Sequence, residues 1–555
     1  MHKVMNENYI DLLVDTSLLN ELGKGYTLER LNDRYSILHY PVSKLNMCHL
    51  GYLPYHVFPT LYTLNSAISL QKSGVTSIQD NSNFSLFGGG VLIGFVDTGI
   101  DYRHNAFLKS DGTTKIFSIW DQTEDDGTPP PQFTFGSEYN QEVINLALLN
   151  NDSFELVPTT DDNGHGTMMA GIAAGNRNQS ANFGGVAPEA ELIVVKLAPA
   201  KQANKWIFSI REDALCYPET NIIAGIHYVR EVAERLRRPL IICLGIGSSQ
   251  SAHDGQSALS WYLNTLATYP RVGICTSVGN EGNNQRHYRG NMNAGEGSKK
   301  IEFSIDAADS QFPLELWQPS PNRLTLELKS PTGQHIQSLN PGFNRCYEHN
   351  FILESTKVYL NNFIMEEETG DQLILMRFES AQAGIWTLRV TNLDSIDTHF
   401  NIWMPSGNII TNRTHFLEPD PFTTVTSPSN AANAISVTAY NPLENSILLT
   451  SSRGFSTNNT ITPDIAAPGY NLSCPIPGQG YGTATGTGAA SAHTAGILAL
   501  LMEWAVSKGN YTTITGRDLN RLIIRGARRD PFLTYPNQIW GYGKINISGV
   551  FESLI

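Results

Sequence analysis

The run Val91-Leu92-Ile93-Gly94-Phe95-Val96 follows the turn signal Gly88-Gly89-Gly90 and carries no polar side chain on either face. Such a strand must be covered from both sides, which places it inside a parallel sheet with helices above and below. Leu192–Leu197, Leu240–Leu244 and Val272–Val278 read as further strands of the same kind. Between them, Asn221–Arg238 carries Ile222, Ile226, Val229, Ala233 and Leu236 at gaps of four, three, four and three, which is one face of a helix. Asn221 can cap its start, Arg235, Arg237 and Arg238 suit its negative end, and Pro239 stops it. This alternation predicts an α/β fold, a parallel sheet with flanking helices and right-handed crossovers.

The texture changes twice. From Lys299 to about Phe422 short β-type runs (Ile301–Ile305, Leu324–Leu328, Leu373–Phe378, Ile385–Val390, Phe400–Met404) are separated mostly by turn formers, which predicts an inserted all-β sandwich or jelly roll. After Thr424 the α/β pattern returns, with a strand at Ala434–Tyr440 and helices at Thr487–Val506 and Gly516–Arg525. Ahead of the core, apolar clusters at Ile10–Val14 and Tyr35–Val42 suggest a small separate unit. The expected division is 1–66, 67–297, 298–424 and 425–555, in line with the three or four domains that 555 residues suggest.

Lys plus Arg number 38 against 52 Asp plus Glu, a formal net charge of -14, which argues against binding a nucleic-acid backbone. The six cysteines, Cys48, Cys216, Cys243, Cys275, Cys346 and Cys474, form no C-x-x-C pair and read as buried or free thiols. The start, MHKVMNENYIDLLVDTSLLN, has no apolar h-region, and no apolar run approaches ~18 residues. The expectation is a soluble chain made in the cytoplasm, with no signal peptide and no membrane span.

Three segments could carry chemistry. Asp97-Thr98-Gly99-Ile100-Asp101 lies at the C-terminal end of the first strand, where ligand and catalytic groups gather in open α/β sheets. Alone it is also a common turn. Asn163-Gly164-His165-Gly166-Thr167 sets a histidine between glycines at the start of a helix, His165–Gly175, leaving the imidazole uncrowded. Ser277-Val278-Gly279-Asn280-Glu281-Gly282 ends another strand, where an Asn amide can donate to a developing oxyanion or simply cap a turn.

Together and in this order the segments resemble the subtilisin-like serine proteases. So do Ser451-Ser452-Arg453-Gly454, Pro463-Asp464-Ile465-Ala466-Ala467-Pro468-Gly469 and Trp540-Gly541-Tyr542-Gly543. The resemblance implies that Asp97 orients the imidazole, that His165 corresponds to the general base and that Asn280 corresponds to the oxyanion donor. The nucleophile box departs from the family. Where the family has Gly-Thr-Ser-x-Ala, this chain reads Gly486-Thr487-Gly488-Ala489-Ala490, so the serine position is Gly488 and no Oγ is present. Ser491 lies nearly one helical turn deeper, about 4–5 Å along the axis, too far for attack. Thr487 reads as a cap or packing residue, and Ala492 stands where the family has Pro. Two readings stay open: a natural pseudoprotease, or an active enzyme whose serine was replaced.

The 68 residues from Asp97 to His165, the 208 from Asn280 to Gly488, the leaderless start and the inserted β domain resemble the clostridial spore-germination branch, the Csp proteins. The resemblance implies a pseudoprotease of CspC or CspA type, packaged in the spore and regulating germinant sensing or relay. Its implied partners are other Csp proteases, the cortex-lyase precursor or a small-molecule germinant. It also implies that residues 1–66 are a prodomain, which Gly488 would leave attached and plugging the substrate groove. In the family, substrate pairs beside Ser248–Asp254. No cofactor is expected; metal binding by the loops is left open. The arginines Arg517, Arg521, Arg525 and Arg528 read as a solvated helix face.

Overall fold

The computed structural model describes residues 2–17, 27–65, 79, 85–337, 340–343 and 345–554. The expected boundary between residues 66 and 67 lies outside the described residues. β1 (Tyr9–Asp15), β2 (Thr27–Arg30) and β3 (Tyr35–Pro41) form an antiparallel sheet in the order β1-β3-β2. Leu12 is paired with Leu38, so the two apolar clusters of the N-terminal segment become neighbouring strands. The segment then leaves that sheet and ends in β4 (Leu61–Leu64).

The doubly apolar run is β5 (Leu92–Asp97), buried at every position. After it come β6 (Ile116–Asp121), β7 (Ser137–Asn140), α1 (His165–Ala174), β8 (Glu191–Lys196), β9 (Tyr217–Pro218) and α2 (Glu219–Leu236). β10 (Leu240–Leu244), β11 (Ile246–Gly247) and β12 (Val272–Ser277) complete the first half of the core. Helix α2 starts two residues before the expected Asn221. Pro218 stands at its N-cap and Glu219 suits its positive end, while the Asn221 amide donates instead to the Ala198 carbonyl at 3.0 Å.

The inserted strands are β13 (His287–Met292), β14 (Ser298–Ile305), β15 (Phe312–Gln318), β16 (Leu324–Lys329), β17 (His335–Ile336), β18 (Cys346–Asn350), β19 (Lys357–Phe363), β20 (Gln372–Glu379), β21 (Gly384–Asn392), β22 (Thr398–Trp403) and β23 (His415–Phe416). They form two antiparallel sheets, β13-β22-β15-β20-β19-β18 and β17-β16-β21-β14-β23. Phe303 of one sheet and Phe378 of the other lie 6.3 Å apart in a shared core. The first strand begins at His287, ahead of the expected Ser298. Its Arg, Gly and Asn hide a strand whose His287, Tyr288, Gly290 and Met292 are nevertheless buried.

The core resumes with β24 (Ile435–Asn441), β25 (Ser446–Ile447), β26 (Ile465–Pro468), α3 (Thr487–Met502) and α4 (Gly516–Gly526). The large sheet runs β25-β24-β12-β10-β5-β8-β6-β7, with β26 also on β24, and is antiparallel only at β6–β7 and β24–β25. All of α3 is buried. With its continuation to Ser507 it is long and apolar enough to cross a membrane, contrary to the expectation of no such stretch, but 89% of its apolar window is buried inside the protein. Its many Ala, Gly, Ser and Thr residues disguise it as a broken run and let it pack closely.

One disulfide corrects the cysteine reading: Cys48 and Cys346 are bonded, Cα to Cα 5.3 Å, across 298 residues of sequence. Spacing along the chain carries no sign of a pair that only the fold brings together. Cys216, Cys243, Cys275 and Cys474 are free and buried, as expected. Beside the disulfide lies Arg377, fully buried, donating to the carbonyls of Ile207 at 2.6 Å and Met47 at 2.9 Å and to Asn361 Oδ1 at 2.9 Å. Its partners come from the α/β core, the N-terminal segment and the sandwich, and burial pushes its pKa down to about 9.

Candidate active site

Asp97 is the last residue of β5 and His165 the first of α1. The two segments touch because glycine stands at 166: a Cβ there would fall 2.1 Å from the Gly99 carbonyl oxygen. Asp161 joins them. Its Oδ1 accepts from Thr98 Oγ1 at 2.7 Å and from the Gly164 N–H at 2.8 Å, and its Oδ2 accepts from the Thr167 N–H and hydroxyl at 2.8 and 2.6 Å. Asp161 did not stand out in the sequence, although its place four residues before His165 at the mouth of a helix was the available signal.

His165 Nδ1–H donates to Asp97 Oδ1 at 2.7 Å. The ring is 2% exposed. Burial opposes its charge, but the Asp97 carboxylate and its hydrogen bond outweigh that and hold the pKa above the ordinary histidine value. The Asn65 main chain also favours the charged ring, and among the described residues Nε2 is buried with no geometrically formed hydrogen bond. Gly245, at the end of β10, completes the wall: a Cβ there would fall 3.0 Å from His165 Cε1.

Asn280 stands three residues past β12. Its Oδ1 accepts from the Thr487 N–H at 3.1 Å and from Thr487 Oγ1 at 3.2 Å, which ties the oxygen end of the amide to the start of α3. Thr487 opens α3 and Gly488 is its second residue. Ser491 is fully buried, and its hydroxyl donates back to the Gly488 carbonyl. Asp97 and His165 are therefore in contact, Asn280 is tied to the residue before Gly488, and among the described residues no hydroxyl bonds to Nε2.

β4 lies along this site between two short strands. Leu64 and Thr63 pair with Ile246 and Gly247 of β11, and Leu61 and Tyr62 pair with Pro218 and Tyr217 of β9. The Asn65 N–H donates to the Gly245 carbonyl at 2.7 Å, and its amide donates to Ser277 Oγ at 3.0 Å. The pairing edge is thus 245–247, just ahead of the expected Ser248–Asp254. His253 of that stretch faces away, stacked on Trp403 at 4.1 Å with Nδ1 2.7 Å from the Val425 carbonyl.

Comparison with known proteins agrees with this geometry. The Subtilase family pattern matches residues 88–306 and 405–543, which take in both halves of the α/β core and the first and last strands of the inserted sandwich. The structure of the Clostridium perfringens CspB protease superposes with a TM-score of 0.77 at 28% identity, covering 87% of this chain and 98% of that one. The minor extracellular protease Vpr of Bacillus subtilis is 24% identical over 493 residues, 84% of this chain and 52% of its own length. Thermitase of Thermoactinomyces vulgaris is 24% identical over 201 residues, 36% of this chain and 51% of its own. The matches span about half of these two curated relatives.

Proposed function

The chain belongs to the subtilase family, on its Csp branch, and from that footing we propose that it regulates bacterial spore germination without hydrolysing peptides. The observation that carries the reading is Gly488. In a serine hydrolase the imidazole takes the proton of a hydroxyl as that oxygen attacks a carbonyl. Here His165 is oriented by Asp97 at 2.7 Å, but position 488 offers no hydroxyl for its Nε2 to act on. In subtilisin, loss of the serine lowers kcat by about 2 × 10⁶. The back-bonded Ser491 offers no substitute. The strand Leu61–Leu64, paired on both edges, supports an occupied groove in which residues 1–66 stay attached as a built-in inhibitor. The partners in this reading are another Csp protease, the cortex-lyase precursor or a small germinant, inside the spore.

The second reading is a germination endopeptidase for the lyase precursor, with its serine replaced by glycine. The short Asp97–His165 contact and the placement of Asn280 favour it. A fluorophosphonate probe separates the two. The chain as it stands is expected to remain unlabelled, and labelling would overturn the regulator. Gly488→Ser that becomes labelled and sheds residues 1–66 favours the second reading; an unlabelled Gly488→Ser favours the first. In spores, deletion is expected to alter the germinant response, and a chain carrying His165→Ala is expected to restore it. A His165→Ala strain as defective as the deletion would sink the regulator.

A further inference from the structure

The three parts of the chain close around a cavity of about 40 Å³. A buried water occupies about 10–15 Å³ by such a measure, so the space suits about three waters or one small organic ion. The N-terminal segment contributes Tyr35 and Tyr55 to its wall, the α/β core Glu219 and Asp254, and the sandwich Trp317, Glu366 and Glu368.

The charges around it do not balance. Glu368 is met by Arg34 at 3.2 Å, and Glu366 by His56 at 3.4 Å. Among the described residues, Glu219 and Asp254 have no cationic partner. Glu219 accepts from the Leu259 N–H at 2.9 Å, is also bonded by the Tyr62 hydroxyl and lies in the field of His56, and Asp254 accepts from the Gln256 N–H and Nε2 at 3.0 Å. Burial raises the half-buried Asp254 carboxyl and pushes Glu219 up to about 7, outweighing the hydrogen bonds and the His56 field that favour its charged form.

A second, independent sign is Tyr35. It is 4% exposed and lines the cavity, with the Arg34 guanidinium 5.1 Å from its ring and Glu368 and Glu219 in its surroundings, and among the described residues its buried hydroxyl has no hydrogen-bond partner. The aromatic walls are held in place. Tyr55 Oη and Trp317 Nε1 both donate to Glu315, at 2.7 and 3.0 Å, and the two rings meet edge to face at 5.7 Å. The carboxylates are spread around the wall, and among the described residues no group of three or more His, Cys, Asp or Glu is arranged to hold a metal ion.

We propose that this cavity binds a small organic ammonium ion, held by Glu219 and Asp254, by the Tyr35 hydroxyl and against the rings of Tyr55 and Trp317. Ammonium supplies N–H donors for the carboxylates and the phenol oxygen, and a cation beside aromatic rings gains further attraction. Glu219 directly follows β9, the strand that holds β4 in the groove. A bound cation would therefore tie the N-terminal segment, the groove and the sandwich together. The site gives the small-molecule part of the proposed function a place and rests on that reading only for its biological consequence.

Methylammonium chloride is the probe, with sodium chloride at equal ionic strength and methanol as controls. Saturable calorimetric binding and a dose-dependent rise in melting temperature are expected with methylammonium alone. Tyr35→Phe, which keeps the ring, and Glu219→Gln are each expected to weaken binding about tenfold or more. No saturable binding to the full chain, or equal binding by both variants, would overturn the site. Binding by a chain that also takes the fluorophosphonate label would keep the site and remove the regulator, so the two failures are distinguishable.

Discussion

Without a hydroxyl at 488, the His165 imidazole has Nδ1 committed to Asp97 and a buried Nε2 with no hydrogen-bond partner among the described residues. An unsatisfied buried nitrogen costs about 1–3 kcal/mol. The residues around it hold the geometry regardless: Asp161 fixes both boxes, and Thr487 turns the Asn280 amide. His493, deep in α3, has a different role. Burial alone pushes its pKa down to about 3. Between the ordinary histidine value near 6.5 and that lower value, the unfolded chain binds a proton the folded chain refuses, so stability falls as pH falls. The full difference is on the order of 5 kcal/mol. The melting temperature is expected to drop between pH 6.5 and pH 4, and to drop less in His493→Gln; equal pH profiles would rule out this histidine as the cause. Asp97, His165, Asn280 and Gly488 were legible because glycine-rich boxes set them apart. Asp161 and Asn65 were not, because their importance comes from contacts with segments far along the chain.

At the scale of elements, β9 and β11 are strands only because β4 pairs with them, and two residues each give no periodicity to read. The long strands and α2 were legible from their apolar spacing, with ends off by two residues where Pro218 and Glu219 start the helix. The anchor of β4 is Tyr62, fully buried, with its hydroxyl 3.2 Å from Ser427 Oγ. Tyr62→Ala is expected to loosen this strand by about 3 kcal/mol. Hydrogen exchange would then speed up about a hundredfold at the paired amides of 61–65 and 245–247, while β5 keeps its protection. Exchange that rises across the whole sheet instead would mean that β4 does not open on its own.

At the scale of the molecule, the N-terminal segment, the α/β core and the sandwich meet at Arg377, whose fork holds a carbonyl from each of the first two and a side chain of the third. A hydrogen bond to a buried charge contributes about 1.5–3 kcal/mol, so this junction couples the three parts. The α/β alternation and the inserted sandwich were legible from the change of texture near Ser298. The junction was not, since a lone arginine in β20 looks like a solvent-facing residue. The Cys48–Cys346 bond at this junction makes residues 48 to 346 a closed covalent ring, with the chain termini as its two tails. A cut after Asn65 opens the ring without dividing the molecule. Chain scission and release of the first 65 residues thus become separate events, the second governed by thiol chemistry rather than by any peptidase. With a protease site placed after Asn65, the cleaved chain is expected to run as one species on a denaturing gel without reductant and as two with it, and a Cys48→Ser chain as two in both.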